Sequence, residues 1–287
     1  LAQQFPPEIL ATIHPVIILP TGGLGGIGKS ETIREEIKRY VQAGGTIICF
    51  SQQYGYDFSG LPRGNEIKAY GYSEDQSCHS RAVYINEESA IFNGLSRVYL
   101  DVSVDGYFTK WPEGAKLLFC RSINQQPAMI EYSYGNGKII ATTLYSDFSH
   151  YIGNLSLEEE ILVKSLIAYA FDPLTPLTQH LKLSEPLPDI SYSVTSPSDI
   201  LLDGSDVTFT IQIWNNGIED KIIRVERDWG HVTRELVGTY LVPAGERIVI
   251  PTTVYDVYDG FNADYFAFWA WFYLDDGRFL GNTVVRG

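Results

Sequence analysis

The sequence predicts an α/β domain followed by an all-β sandwich, and three observations carry that expectation. Over the first 172 residues short apolar runs alternate with segments of helical period, prolines then crowd the stretch from Asp172 to Pro188, and beyond it the apolar period switches to two. At 287 residues, with 45% hydrophobic and 20% charged positions, the chain is long enough for two domains with a core each, and disorder throughout is excluded.

Val16–Leu19 reads as a short strand closed by Pro20 and a Gly-rich loop. In the segment that follows, Ile33, Ile37, Tyr40 and Val41 fall at i, i+4, i+7 and i+8, which places one apolar stripe on a helix. Arg34, Glu35, Lys38 and Arg39 take its other face, Ser30 suits the N-cap, and Gly44-Gly45 end it before the buried run Thr46–Phe50. Strand, helix and strand together have the size of one right-handed crossover unit. A polar, Tyr- and Gly-rich stretch then runs from Gln52 to Arg81. Further strands are expected at Ala82–Ile85, Lys116–Cys120, Ala128–Tyr132 and Lys138–Leu144. The last two meet at Tyr134-Gly135-Asn136-Gly137, a hairpin signal because Asn-Gly tolerates the positive φ of a tight turn. Leu157, Ile161, Leu162, Leu166, Ile167 and Ala170 predict a closing helix over Leu157–Phe171.

Pro173, Pro176, Pro186 and Pro188 mark residues 173–188 as a linker, so the α/β domain is placed at 1–172 and the sandwich at 189–287. In the second domain Val207, Phe209, Ile211 and Ile213 alternate with polar residues, and Asn215-Asn216-Gly217 supplies a turn. Similar strands are expected at Lys221–Glu226, Glu235–Leu241, Arg247–Val254, Tyr265–Leu274 and Phe279–Val285, with turns at Pro243-Ala244-Gly245 and Asp275-Asp276-Gly277. About seven short strands in roughly 100 residues suit an immunoglobulin-like sandwich.

Charge narrows the function. Twenty-one Lys and Arg against 35 Asp and Glu give −14, with −6 on residues 1–185 and −8 on 186–287, so neither half is suited to nucleic acid. No apolar run reaches the roughly 18 to 20 residues of a membrane span. Cys49, Cys78 and Cys120 are spaced neither as a disulfide framework nor as a zinc site, and no cofactor or metal is implied. The start at Leu1, with neither Met nor signal-peptide pattern, reads as a piece of something longer.

Several segments together carry a family resemblance. Val16-Ile-Ile-Leu-Pro-Thr-Gly-Gly23 is followed by Ile37-Lys-Arg-Tyr-Val-Gln-Ala-Gly-Gly-Thr-Ile-Ile-Cys49, and later by Gln126-Pro-Ala-Met-Ile-Glu-Tyr132 and Tyr134-Gly-Asn-Gly-Lys-Ile-Ile-Ala-Thr142. Over residues 8–172 this resembles the class I glutamine amidotransferase-like domains of non-amidotransferase relatives, such as β-galactosidase middle domains and ThuA-like proteins. The resemblance implies a flavodoxin-like doubly wound sheet whose first strand is missing here or supplied elsewhere, since only a helix remnant, Pro7–His14, precedes Val16. It also implies a nucleophile at Cys49, yet Ile47 and Ser51 stand where the family's Gly-x-Cys-x-Gly turn has glycines. The family's base position falls nearest Ser146, and His150 lies four residues later. Degenerate motifs of this kind point to a non-catalytic binding or scaffolding module within a larger, extracytoplasmic or cell-surface bacterial protein. Its partners would be other domains of that protein, or a carbohydrate or protein ligand held near Gly22, Gly23, Ser51, Gln52, Ser146 and Asp147. The alternative is a hydrolase using Cys49 and His150.

Two other motifs compete. Gly23-Leu-Gly-Gly-Ile-Gly28-Lys29-Ser30 matches a phosphate-binding loop, with Lys29 aimed at terminal phosphates, Ser30 at Mg²⁺, and Val98-Tyr-Leu-Asp101 as the nearest metal-positioning strand. Tyr265-Phe-Ala-Phe-Trp-Ala-Trp-Phe-Tyr273 is aromatic on both faces, so one face would pack on another domain or stack on a sugar. Cys78-His79 and the trio Asp199, Asp203 and Asp206 read as a polar loop and an acidic turn rather than metal sites.

Overall fold

A computed structural model describes residues 6–74, 80–122, 124–151, 155–183, 189–196, 205–229, 234–257, 267–277 and 279–286. The chain divides into two compact units, Leu1–Leu183 and Ser184–Gly287.

In the first unit a seven-stranded sheet runs in the order β1 (Val16–Leu19), β2 (Thr46–Cys49), β9 (Gly137–Thr142), β8 (Pro127–Tyr134), β7 (Lys116–Arg121), β4 (Ser80–Ile85) and β5 (Tyr99–Val104). Only β1, β2 and β9 are parallel, and every pairing from β9 outward to β5 is antiparallel. A side ribbon joins β3 (Lys68–Tyr70) to β6 (Tyr107–Lys110). This overturns the flavodoxin-like doubly wound sheet, which needs parallel strands linked throughout by helical crossovers; the protein is 42% strand and 24% helix. The physical reason lies in the connections. One crossover, through α2 (Leu24–Ile27) and α3 (Glu31–Gln42), links β1 to β2, but the long stretch after β2 holds short 3₁₀ turns, and the Asn-Gly turn makes β8 and β9 a hairpin.

α3 packs on one face of the sheet, where Tyr40 and Val41 meet Ile47, Cys49, Ile130 and Ala141. α5 (Leu157–Phe171) packs on the other, where Leu162, Leu166 and Ala170 meet Ile48, Met129 and Ile140. β2 is therefore buried on both faces, which explains its uninterrupted apolar run. Ser30 caps α3 by accepting from Ile33 N at 3.4 Å, and Ser156 caps α5 by accepting from Glu159 N at 3.0 Å. Gly45 lets Tyr40 lie flat at the sheet end: a Cβ there would fall 2.3 Å from the ring, whose hydroxyl donates to His14 O at 2.7 Å. α1 (Pro7–Ile13) packs beside α3.

The second unit is a β-sandwich of two antiparallel sheets. One holds β10 (Ile190–Thr195), β11 (Ser205–Asn215) and β14 (Arg247–Val257); the other holds β13 (Glu235–Val242), β12 (Lys221–Trp229), β15 (Ala267–Leu274) and β16 (Phe279–Arg286). Val207, Phe209, Ile211 and Ile213 point into a core that Ile223, Val225, Phe268 and Phe272 fill from the facing sheet. The turn after β11 is fixed by buried Asn215, whose amide donates to Glu219 O and Val242 O at 2.8 and 2.9 Å.

Candidate functional site

The carboxyl ends of the parallel strands gather most of the positions that the sequence marks. Pro20 stops β1 and Gly22 turns the chain at φ +72°, where a Cβ would come within 3.4 Å of the Tyr72 hydroxyl. Buried Gln52 fastens this loop to β2. Its Oε1 accepts from Leu24 N at 2.8 Å, while Nε2 donates to Phe50 O at 2.8 Å and to Pro20 O at 3.2 Å. Ser51 O accepts from Gly22 N at 2.9 Å, and Ser51 Oγ donates to Asp105 O at 2.9 Å. Asp147, on α4 (Ser146–Tyr151), accepts from Thr21 Oγ1 at 2.8 Å. Gly22, Gly23, Ser51, Gln52, Ser146 and Asp147 lie around this end of the sheet, but most of their polar groups are spent on neighbours such as Pro20, Thr21, Leu24 and Asp105.

Ser146 is the exception. It is 8% exposed, its hydroxyl has no hydrogen-bond partner, and it borders a cavity of about 380 Å³ on the α5 face of the sheet. Ile18, Phe50, Leu155 and Val163 form much of the cavity wall, with Asp147, His150, Glu160 and Lys164 also around it. Beside Asp147, the rings of Tyr72, Tyr145 and Phe148 stack in series, with centroids 5.2 and 4.9 Å apart. Burial, aided by Tyr72, Asp105 and Asp147, pushes the Tyr145 phenol up to about 12. The Tyr-rich composition of residues 52–81 was the available signal for Tyr72, whereas α4 has no period long enough to announce it.

Cys49 does not sit in a nucleophile's environment. It is wholly buried among Ile47, Ile130, Tyr132 and Ala141, and burial raises its thiol far above the ordinary range. Its weak contacts are to Phe50 O and Gln52 Nε2, both at 3.6 Å, while His150 is exposed at the cavity. With Ile47 and Ser51 where the family's turn has glycines, Cys49 simply ends the buried strand β2.

The phosphate-loop match folds as something else. Gly23 and Gly28 are right-handed helical, and Leu24–Ile27 is itself a helical turn. The amides needed for a phosphate cradle are turned to protein: Gly23 N donates to Pro20 O, Gly25 N to Gly22 O and Gly28 N to Leu24 O, besides Leu24 N on Gln52. Ser30 is a helix cap and Lys29 points to solvent. Asp101 lies on β5, at the opposite edge of the sheet from β1.

In the sandwich, Tyr265 and Phe266 lie outside the described residues, as do Cys78, His79, Asp199 and Asp203. Over the rest of the aromatic strand, Phe268, Ala270 and Phe272 face the core. The other face is covered within its own unit: Arg234 lies 3.9 Å from the Trp271 ring centroid, Arg224 lies 4.4 Å from that of Tyr273, and Trp271 Nε1 donates to Asp228 at 2.8 Å. Trp271 and Tyr273 are 2% and 6% exposed, so neither is an open platform for a sugar. Among the described residues no three His, Cys, Asp or Glu side chains converge as a metal site, and no helix is long and apolar enough to cross a membrane.

No family model matches the chain, and no curated protein matches it. Partial likenesses exist among solved structures. The exo-β-1,4-mannosidase Op5Man5 from Opitutaceae bacterium strain TAV5 is 12% identical at TM-score 0.34, over 56% of this chain and 26% of that one. The CARDB domain of the PF1109 protein from Pyrococcus furiosus, in complex with di-metal ions, is 13% identical at TM-score 0.28, over 38% and 97%. The FixG-related protein from Vibrio parahaemolyticus is 15% identical at TM-score 0.27, over 34% and 94%. None of the three is an amidotransferase.

Proposed function

We propose that the chain is a non-catalytic binding and scaffolding module of a larger bacterial protein, acting outside the cytoplasm, with the first unit carrying the binding site and an immunoglobulin-like sandwich beside it in sequence. One observation carries this reading: the cysteine at the nucleophile position of the amidotransferase-like resemblance is sealed in the core, while a separate, largely apolar cavity opens on the α5 face of the sheet. A pocket walled by Ile18, Phe50, Leu155 and Val163 selects a predominantly apolar group. The acidic balance and the sandwich support the compartment.

The neutral apolar dye Nile red tests the site. Its emission should rise on binding the native protein, and Val163→Asp, which sets a charge in the cavity wall, should abolish the rise with the melting temperature kept. No binding by the wild type, or equal binding by the variant, would overturn the reading.

A further inference from the structure

The Tyr- and Gly-rich stretch after β2 contains the tripeptide Tyr-Gly-Tyr twice, at Tyr54–Tyr56 and Tyr70–Tyr72, and neither copy lines the cavity. The fold locks the two copies against each other. A Cβ on Gly55 would run into Ala69 O and one on Gly71 into Gln53 O, while Tyr72 N and Ser73 N donate to Gln52 O and Gln53 O, each at 3.1 Å. Glu74 bolts them together: its Oε2 accepts from Gly55 N at 2.6 Å and from Gly71 N at 3.0 Å. Four tyrosines are thereby carried beside one carboxylate. Tyr54 stacks on Tyr56 with centroids 5.2 Å apart, and Tyr70 on Tyr107 at 4.9 Å. The outer ring of each pair, Tyr56 at 59% and Tyr70 at 43% exposure, keeps an open face.

The charge around these rings is negative. Asp57 Oδ2 accepts from Tyr54 N at 3.1 Å. Partial burial, and then Asp57, Tyr54 and Glu74, raise the Tyr56 phenol; burial, and then Asp57 and Asp147, raise that of Tyr72. Lys68 and Lys110 lie opposite each other at the far end of the β3–β6 ribbon from Gly71. Ring faces carry the negative pole of the aromatic quadrupole, so rings beside carboxylates favour a weakly hydrated cation. We propose that Tyr54, Tyr56, Tyr70 and Tyr72, with Glu74, bind a small quaternary ammonium cation of the choline class. The rings receive the methylated nitrogen, and Glu74, fixed by its two amide bonds, supplies the counter-charge. The same carboxylates repel an attached phosphate, so the ligand is the free cation and not a phosphocholine headgroup. A neutral sugar would meet the ring faces but gain nothing from the charges.

The site is distinct from the cavity and does not rest on it. Isothermal titration calorimetry of the full chain with choline chloride is the test, and a Kd on the order of 1 mM or tighter is expected. Three comparison ligands should each bind about tenfold more weakly: the neutral isostere in which a tert-butyl group replaces the trimethylammonium, phosphocholine, and methyl β-glucoside. Tyr56→Ala, at an exposed ring, should weaken choline binding about fivefold with the melting temperature unchanged. Glu74→Gln, which keeps an oxygen for the two amides and loses the charge, should weaken it by a similar factor. No heat with choline, any of the three comparison ligands bound as tightly as choline, or full affinity in either variant overturns the proposal.

Discussion

The two units solve the same problem, covering a sheet, by different means. In the sandwich each sheet covers the other, and the whole arrangement follows from alternation: Phe209 stacks on Phe268 with centroids 4.0 Å apart, and Tyr192 on Phe272 at 4.1 Å. In the first unit helices cover both faces, and the end that carries the cavity is held by backbone and amide contacts instead, with Gln52 tying the loop after β1 to β2. A periodic core can be read from sequence; a polar fastening between residues 28 apart, such as Leu24 and Gln52, cannot.

Breaking each unit at its own support sharpens the contrast. The largest effect belongs to the sandwich, where Phe209→Ala removes half of a buried ring pair and should cost about 3–5 kcal/mol, seen as faster hydrogen exchange across β11 and its neighbours. In the first unit Gln52→Ala leaves Leu24 N without its acceptor. It should cost about 1–3 kcal/mol, with exchange rising first in the loop after β1 and the sandwich amides unchanged.

Alkali should separate the units as well. Burial raises the Cys120 thiol from its ordinary 9.0 to about 11, opposed by its contact with Tyr84, and raises Tyr40 and Tyr84 from 10.0 to about 12. Below the unfolded values these groups are protonated in both states and their contribution to stability is fully present. Between pH 9 and 11 for Cys120, and 10 and 12 for the tyrosines, only the unfolded chain releases its protons, so stability falls as pH rises. The sandwich has Tyr192, also raised to about 12 by burial, as its counterpart, and its loss should begin about one pH unit later. Exchange followed from neutral to alkaline pH measures the order.

Much of the element map was legible. The helix Leu157–Phe171 follows from its run of apolar residues after the Ser156 cap, the Asn-Gly turn fixes the β8–β9 hairpin, and period two marks β11. Sheet direction was not. Apolar runs such as Lys116–Cys120 and Ala128–Tyr132 look the same in parallel and antiparallel sheets, so the one crossover at β1–β2 and the family resemblance do not fix the direction of the later strands. The phosphate-loop spacing misled for a related reason: Gly23 and Gly28 permit a cradle, but the helical turn between them and the Gln52 amide decide otherwise. The outer aromatic face of β15 looked adhesive because its cover, Arg224 and Arg234, comes from elsewhere in the chain.

The inertness of Cys49 is the centre of this account, and thiol labelling of the native Cys78→Ser protein at neutral pH tests it most directly, because Cys49 and Cys120 then report alone. Neither should react with a soluble maleimide on the timescale that labels a free thiol, and both should react at once in denaturant. Rapid native labelling of Cys49, ahead of Cys120 and lost on His150→Ala, would contradict it and restore the nucleophile.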